Sequence, residues 1–106
     1  MKPDPKISEA SAIITLWADA RGILEHSTAQ AQCLKLVSEV GELSDAIIKH
    51  EDATDALGDV FVALTLTAKH LGIPMQDALA QAWDQIKDRR GRMIAGGAFV
   101  KEKGAQ

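Results

Sequence analysis

From Val60 to Ala68 the chain runs nine residues, VFVALTLTA, without a charge or a histidine. The run sits inside a helical pattern that opens at Asp52 and ends near Leu71, where Gly72 and Pro74 supply stop signals. Past its first turns that helix is apolar on nearly every side, with Val60, Phe61, Val62, Ala63, Leu64, Leu66 and Ala68 relieved only by Thr65 and Thr67. A helix without a polar face has to be covered all round. The whole chain has 106 residues, about one domain, and three further helices are a thin cover. The expectation is an all-α fold resembling a four-helix bundle, working as an obligate homodimer or homotetramer.

Those other helices are read from period and caps. Residues 1–7 hold two prolines and two lysines and read as a flexible arm. Ser8 is a fitting N-cap for a first helix to about Leu24, with Ile13, Leu16, Trp17, Ala20, Ile23 and Leu24 at helical spacing. The second is expected from Thr28 to Lys49. Leu34, Leu36, Val37, Val40, Leu43, Ile47 and Ile48 share its apolar side, opposite Lys35, Ser38, Glu39, Glu42, Asp45 and Lys49. In the third, Asp52 and Asp55 have capping-box spacing. A fourth opens at Pro74, buries Ala78, Leu79, Ala82, Trp83 and Ile86, and closes in the basic run Lys87–Arg92. The domain is thus expected over 8–92, followed by an irregular tail over 93–106. No period-two strand signal stands out.

Composition narrows the function classes. With 46% hydrophobic and 25% charged residues the chain can build a core. Its charge-free runs reach only nine residues, far short of the roughly 18 a spanning helix needs, so no membrane partner is expected. A net charge of −3 argues against a nucleic acid polymer as partner. The single cysteine, Cys33, cannot close an intramolecular disulfide. With no apolar leader in MKPDPKISEA, a cytoplasmic location is expected.

Four acids carry the possible chemistry: Glu39 and Glu42 on the second helix, Asp55 and Asp59 on the third. Each pair shares a helix face. The ordinary reading of the glutamates is a solvated face with Lys35 and Lys49, and Asp55 suits a helix N-terminus whatever else it does. Asp59 continues into Val62 and Leu66, so it stands where an apolar helix meets its neighbours. A carboxylate there needs a partner or a cation. The turn near His50–Asp52 brings Glu42 and Asp59 roughly level, and carboxylates facing one another repel unless a hard cation such as Mg²⁺ or Mn²⁺ lies between them. No Glu-x-x-His, HExxH, P-loop or GxSxG is present. The basic run invites two readings, helix-dipole partner or phosphate clamp.

The segment Lys35–Leu43, KLVSEVGEL, followed by Asp55–Val60, DALGDV, resembles the MazG-like all-α nucleoside triphosphate pyrophosphohydrolases, whose signature is E-x-x-E on one helix and E-x-x-D on the next. WADARGI at Trp17–Ile23, WDQIKDRRGRM at Trp83–Met93 and the tail Gly97–Glu102 are similar to the small single-domain branch. The resemblance implies the MazG fold and Mg²⁺-dependent hydrolysis of a (deoxy)nucleoside triphosphate to monophosphate and pyrophosphate. It implies metal binding by Glu39, Glu42 and Asp59, with Asp55 standing in for an acid the strict pattern would put at Ala56. Glu39 or Glu42 would activate water. Lys35 would face the site, Lys87 and Arg90 would contact phosphates, Trp17 would line the base pocket and Arg21 would reach the nucleotide. The alternative is a catalytically inactive helical module that binds a nucleotide or a partner protein.

Overall fold

The computed structural model describes residues 5–102. Five helices, α1 (Pro5–Ala20), α2 (Ile23–His26), α3 (Ala29–Ile48), α4 (Thr54–Leu71) and α5 (Met75–Ile86), precede a hairpin of β1 (Gly91–Met93) and β2 (Phe99–Lys101). Residues 5–75 form one compact unit and 76–102 a second, so the single domain expected over 8–92 is divided within it. No single helix among the described residues is long and apolar enough to cross a membrane.

The first unit is built on α3 and α4, which share its most extensive interhelical packing; α1 lies against α4 and α2 touches both α1 and α4. Thr28 caps α3 as expected, its hydroxyl accepting from the Ala31 N–H at 3.1 Å. Asp52 does not pair with Asp55. Its Oδ1 accepts instead from the Thr54 N–H at 2.9 Å and the Thr54 hydroxyl at 2.7 Å, just ahead of α4. At the far end Gly72, with φ 70°, lets its N–H reach Lys69 O and that of Ile73 reach Ala68 O at 3.1 and 3.0 Å, a Schellman closure.

Three expectations about elements need correction. The first helix starts at Pro5 rather than Ser8, so residues 5–7 of the expected arm are helical; the remainder of that arm, 1–4, lies outside the described residues. It also stops at Ala20, because Gly22 takes φ 77° and starts a separate turn of helix. The tail is not irregular over its described part: Gly91 pairs with Lys101, Arg92 with Val100 and Met93 with Phe99. Ile94 N–H donates to Ala98 O at 2.9 Å around a turn that Gly96 and Gly97 make with φ near 90°. Residues 103–106 of that tail lie outside the described residues. Gly91 is required by close approach, since a Cβ there would run into the Val100 carbonyl and stand 2.6 Å from the Phe99 ring. The basic run therefore follows α5 instead of closing it.

A further correction concerns which faces turn inward. On α3 the buried or half-buried positions are Ala29, Gln32, Leu36, Glu39, Leu43 and Ala46, with Glu39 the most enclosed. Leu34, Val37, Ile47 and Ile48 are 60–72% exposed. On α1, Ala18 is buried, whereas Ile13 and Leu16 are exposed. Among the described residues the buried apolar side chains are Ala18, Ala63, Leu66 and Ala68, mostly small. Even α4 is left open along Leu57, Leu64 and Leu71.

The α3–α4 turn sets the register of everything that follows. His50 N–H donates to Ile47 O and Glu51 N–H to Ala46 O, at 3.1 and 2.9 Å, another Schellman closure but with a histidine at φ 58° where glycine is favoured. A side chain in that region costs roughly 1–2 kcal/mol. His50→Gly is therefore expected to raise the thermal midpoint, by about 0.5–1 kcal/mol of stability after glycine's extra unfolded-state entropy is deducted. A lower midpoint in the variant would show that this turn is not what sets the hairpin.

Candidate metal centre

Glu39 and Glu42 come from the middle of α3, and Asp59 from α4, in the second turn after its start. Glu42 precedes the left-handed His50 by eight positions and Asp59 follows it by nine, so folding at the turn brings them level. One carboxylate oxygen from each of Glu39, Glu42 and Asp59 lies within 4.8 Å of the others. Glu39 is buried, Asp59 half-buried and Glu42 exposed, so the group opens from the helix interface toward solvent. The solvated-face reading of Glu39 does not hold: it is 6% exposed, facing α4.

Its two oxygens have different fates. Oε1 meets Lys35 Nζ at 3.0 Å, one helical turn away. Oε2 is buried without a hydrogen-bond partner when the acids are ionised. The Lys35 ammonium, bonded to Glu39, holds the Glu39 carboxyl below its ordinary range, and a hydrogen bond from a protonated Glu42 acts in the same direction. Lys35 is raised in return. Glu42 goes the opposite way: Glu39 beside it pushes its carboxyl up, because a proton on Glu42 can be shared with the ionised neighbour. Two adjacent carboxylates that favour holding a proton between them, with a buried oxygen aimed at no donor, match the demands of a cation. The donors are all oxygen, the set chosen by hard divalent ions.

Asp55 does not join the group. It lies exposed in the first turn of α4, where a negative charge suits the helix dipole. Ala56, one residue on, is half-buried and has no donor to offer.

Beside the acids is a cavity of about 440 Å³ lined by Trp17, Ile23, Gln32, Lys35, Glu39, Asp59, Val62, Ala63 and Leu66. One part of its wall is charged and the rest largely apolar, a division suited to a ligand with a charged end and a flat ring. Trp17 is 44% exposed. Arg21 is engaged with it, the guanidinium 4.8 Å from the ring centroid and Nη1 donating to Trp17 O at 3.1 Å. Arg21 itself does not line the cavity. Lys87 and Arg90 belong to the second unit, where Lys87 pairs with Asp84 at 2.7 Å and Arg90 with Glu102 at 3.4 Å. Arg90, Arg92 and Lys101 there border a cleft of about 500 Å³.

Gln32 was missed by the sequence reading. A signal existed: Gln32, Lys35, Glu39 and Glu42 fall at i, i+3, i+7 and i+10, one continuous polar stripe along α3. An uncharged residue on a stripe otherwise defined by charge was easily passed over.

Comparison with known proteins agrees with this geometry. Residues 27–93 match the family model of the MazG nucleotide pyrophosphohydrolase domain. The chain is 40% identical over 58 residues to an uncharacterised 18.2 kDa protein from the rep–hol intergenic region of Haemophilus phage HP1, a match covering 53% of this chain and 36% of that one. The chain thus spans little more than a third of that relative's length. Among solved structures it resembles the Cyanophage S-2L MazG-like pyrophosphohydrolase, bound there to dGDP and three catalytic Mn²⁺ ions per active site. That likeness has a TM-score of 0.71 at 19% identity and covers 93% of this chain and 94% of the other. At that identity it speaks for the fold. The family match, which takes in α3, α4, all three clustered acids and more than half of the sequence, decides the assignment: the chain belongs to the MazG nucleotide pyrophosphohydrolase domain family.

Proposed function

We propose that the chain hydrolyses a nucleoside or deoxynucleoside triphosphate to the monophosphate and pyrophosphate with the help of Mg²⁺ or Mn²⁺. The observation that carries this reading is the buried, partnerless Oε2 of Glu39, grouped with the carboxylates of Glu42 and Asp59 beside a cavity of nucleotide size. Support also comes from the cyanophage structure, which holds a nucleotide and Mn²⁺.

Glu39, Glu42 and Asp59 would hold the cation, which supplies positive charge against the phosphates and aligns them for attack. Lys35 keeps Glu39 ionised and oriented through its 3.0 Å contact. Water attacks the α-phosphorus, the bond to the bridging oxygen breaks, and pyrophosphate carries away that electron pair. The water's proton passes to a carboxylate not fully engaged by the cation, Glu42 or Glu39. Trp17 offers the ring face that Arg21 leaves uncovered to a base. Lys87 and Arg90 are each held by an acid within the second unit, Asp84 and Glu102, and are given no step in this reading.

Self-association belongs to the same reading. Leu34, Val37, Ile47 and Ile48 along α3, with Ile13 and Leu16 on α1, leave apolar surface exposed on the single chain. A homodimer or homotetramer would cover it. Light scattering is expected to find no monomer at micromolar concentration, and Val37→Glu to lower the mass. A monomeric wild type would remove this part of the proposal.

Incubation with Mg²⁺ and the ribo- and deoxynucleoside triphosphates is expected to release pyrophosphate. Glu39→Gln and Asp59→Asn should each lower turnover at least roughly a hundred-fold with the helical circular dichroism retained. Pyrophosphate release from no substrate with either cation, or unimpaired turnover in both variants, would defeat the proposal.

Cation affinity should depend on pH with a defined sign. Glu42 is held above its ordinary carboxyl range, so at low pH a cation has to displace its proton. Mn²⁺ affinity, followed by calorimetry, is expected to weaken as pH falls through that raised value, with a proton released on binding there and progressively less proton release as pH rises above it. Affinity that strengthens on acidification would contradict the site.

A further inference from the structure

The charge of the clustered acids limits how many cations the chain can hold unaided. Glu39 anchors the group: it is 6% exposed, and its Oε2 is buried without a hydrogen-bond partner beside Glu42 and Asp59. Its Oε1 is held by Lys35 Nζ at 3.0 Å. Three carboxylates against that one ammonium leave two negative charges, which one divalent cation balances. A second dication would stand roughly 3.5–4 Å from the first, the spacing of two-metal sites. Nothing more on the protein would offset their repulsion, in a half-enclosed seam where screening is weaker than in open water. A carboxylate that joins two ions also gives one oxygen to each, and Glu39 cannot do so while it keeps Lys35.

The place where a further charge could stand is occupied by a methyl group. Ala56 precedes Asp59 by three residues, so the two share a face of α4 one turn apart. Ala56 is half-buried, on the packed side of the helix, whereas Asp55 beside it is exposed and stays outside the cluster. An alanine side chain adds neither charge nor donor atom to the set.

We propose that the nucleotide-free chain binds a single divalent cation, that every further cation enters with the phosphates of the nucleotide, and that Ala56 is the position that imposes this order. The idea rests on the nucleotide-hydrolysing reading above. The phosphates bring the anionic oxygens that the protein lacks, as is usual where a hard cation is held by few carboxylates and a substrate. The second cation and the nucleotide are therefore coupled ligands, each tightening the binding of the other.

Equilibrium dialysis at neutral pH counts the ions. Mn²⁺ is supplied alone, or with the uncleavable α,β-methylene analogue of whichever triphosphate the chain hydrolyses fastest. Unbound metal–nucleotide complexes equilibrate across the membrane, so the excess on the protein side is what the chain holds. Wild type is expected to hold about one Mn²⁺ alone and at least about two for each analogue bound. Ala56→Glu should raise the nucleotide-free count to about two, while Ala56→Gln, equal in size but uncharged, should leave it at about one. A nucleotide-free wild-type count of zero, a count of two or more, or no gain when the analogue binds overturns the proposal; triphosphate cleavage in the same preparation leaves the hydrolase reading standing. A folded Ala56→Glu variant that still holds one ion overturns the role of Ala56. Should that variant lose its helical circular dichroism, the two wild-type counts decide alone. No triphosphate cleaved and no Mn²⁺ held removes the hydrolase reading, and this proposal with it.

Discussion

The packing of α3 against α4 forces a carboxylate into the seam between two helices. Of the α3 side chains, Glu39 alone is buried, and it faces the helix whose middle is the most apolar segment of the chain. Placing an ionised group there is unfavourable unless its oxygens are satisfied. Lys35 satisfies one, from the turn before, on a side chain that remains largely in solvent. The other is left without a partner, next to two more acids. Stability alone would favour a leucine at this position; replacing buried ionic groups by apolar ones is often neutral or stabilising. The carboxylate makes physical sense when a cation enters with the native state and contributes its binding free energy to it.

That seam depends on local geometry at its closed end. The His50 turn sets how many residues of each helix face one another, and one residue more or less would rotate Asp59 by about 100° away from Glu39 and Glu42. The same geometry explains why Asp55 stays apart. It is a full turn nearer the start of α4, where the helix dipole accepts its charge and solvent surrounds it. A position in the first turn is a stable place for an acid whether or not it has a role in the centre.

Much of this was legible in the sequence, because helix period and caps are local properties. Thr28, Gly72 and the spacing of acids around His50 predicted α3, α4 and the level placement of Glu42 and Asp59 correctly. What the pattern could not say was which surface each apolar stripe is covered by. Leu34, Val37, Ile47 and Ile48 read as the inner face of α3 together with Leu36 and Leu43, yet only Leu36 and Leu43 turn inward, beside the polar Gln32 and Glu39. Hydrophobicity reports that water is to be excluded from a face, not whether the excluding surface is in the same chain. The hairpin was missed for a different reason. Three-residue strands that are exposed on both faces carry no alternation, and their real signals, the paired Gly96–Gly97 turn and the close contact at Gly91, are backbone requirements.

The outward stripe and the inward acid are two consequences of one allocation of side chains. The small buried residues of α1 and α4, Ala18, Ala63 and Ala68, bury little area each. Folding of a single chain therefore gains modestly from its own core, and small domains start from a weak surface-to-volume position in any case. Moving the larger aliphatic residues to the outside of α3 and α1 gives up intramolecular burial. The free energy would be recovered if a second copy covered those residues, as proposed, and folding, assembly and occupation of the acidic centre would then be linked equilibria. In that arrangement α3 is the common element: its outer stripe would meet the other copy, and its inner stripe carries Gln32, Lys35, Glu39 and Glu42. A helix clamped from outside has less freedom to rotate, and rotation is the motion that would pull the carboxylates apart. Self-association would thus do more for the site than add stability, because it would hold the angle at which three separate acids act as one ligand set.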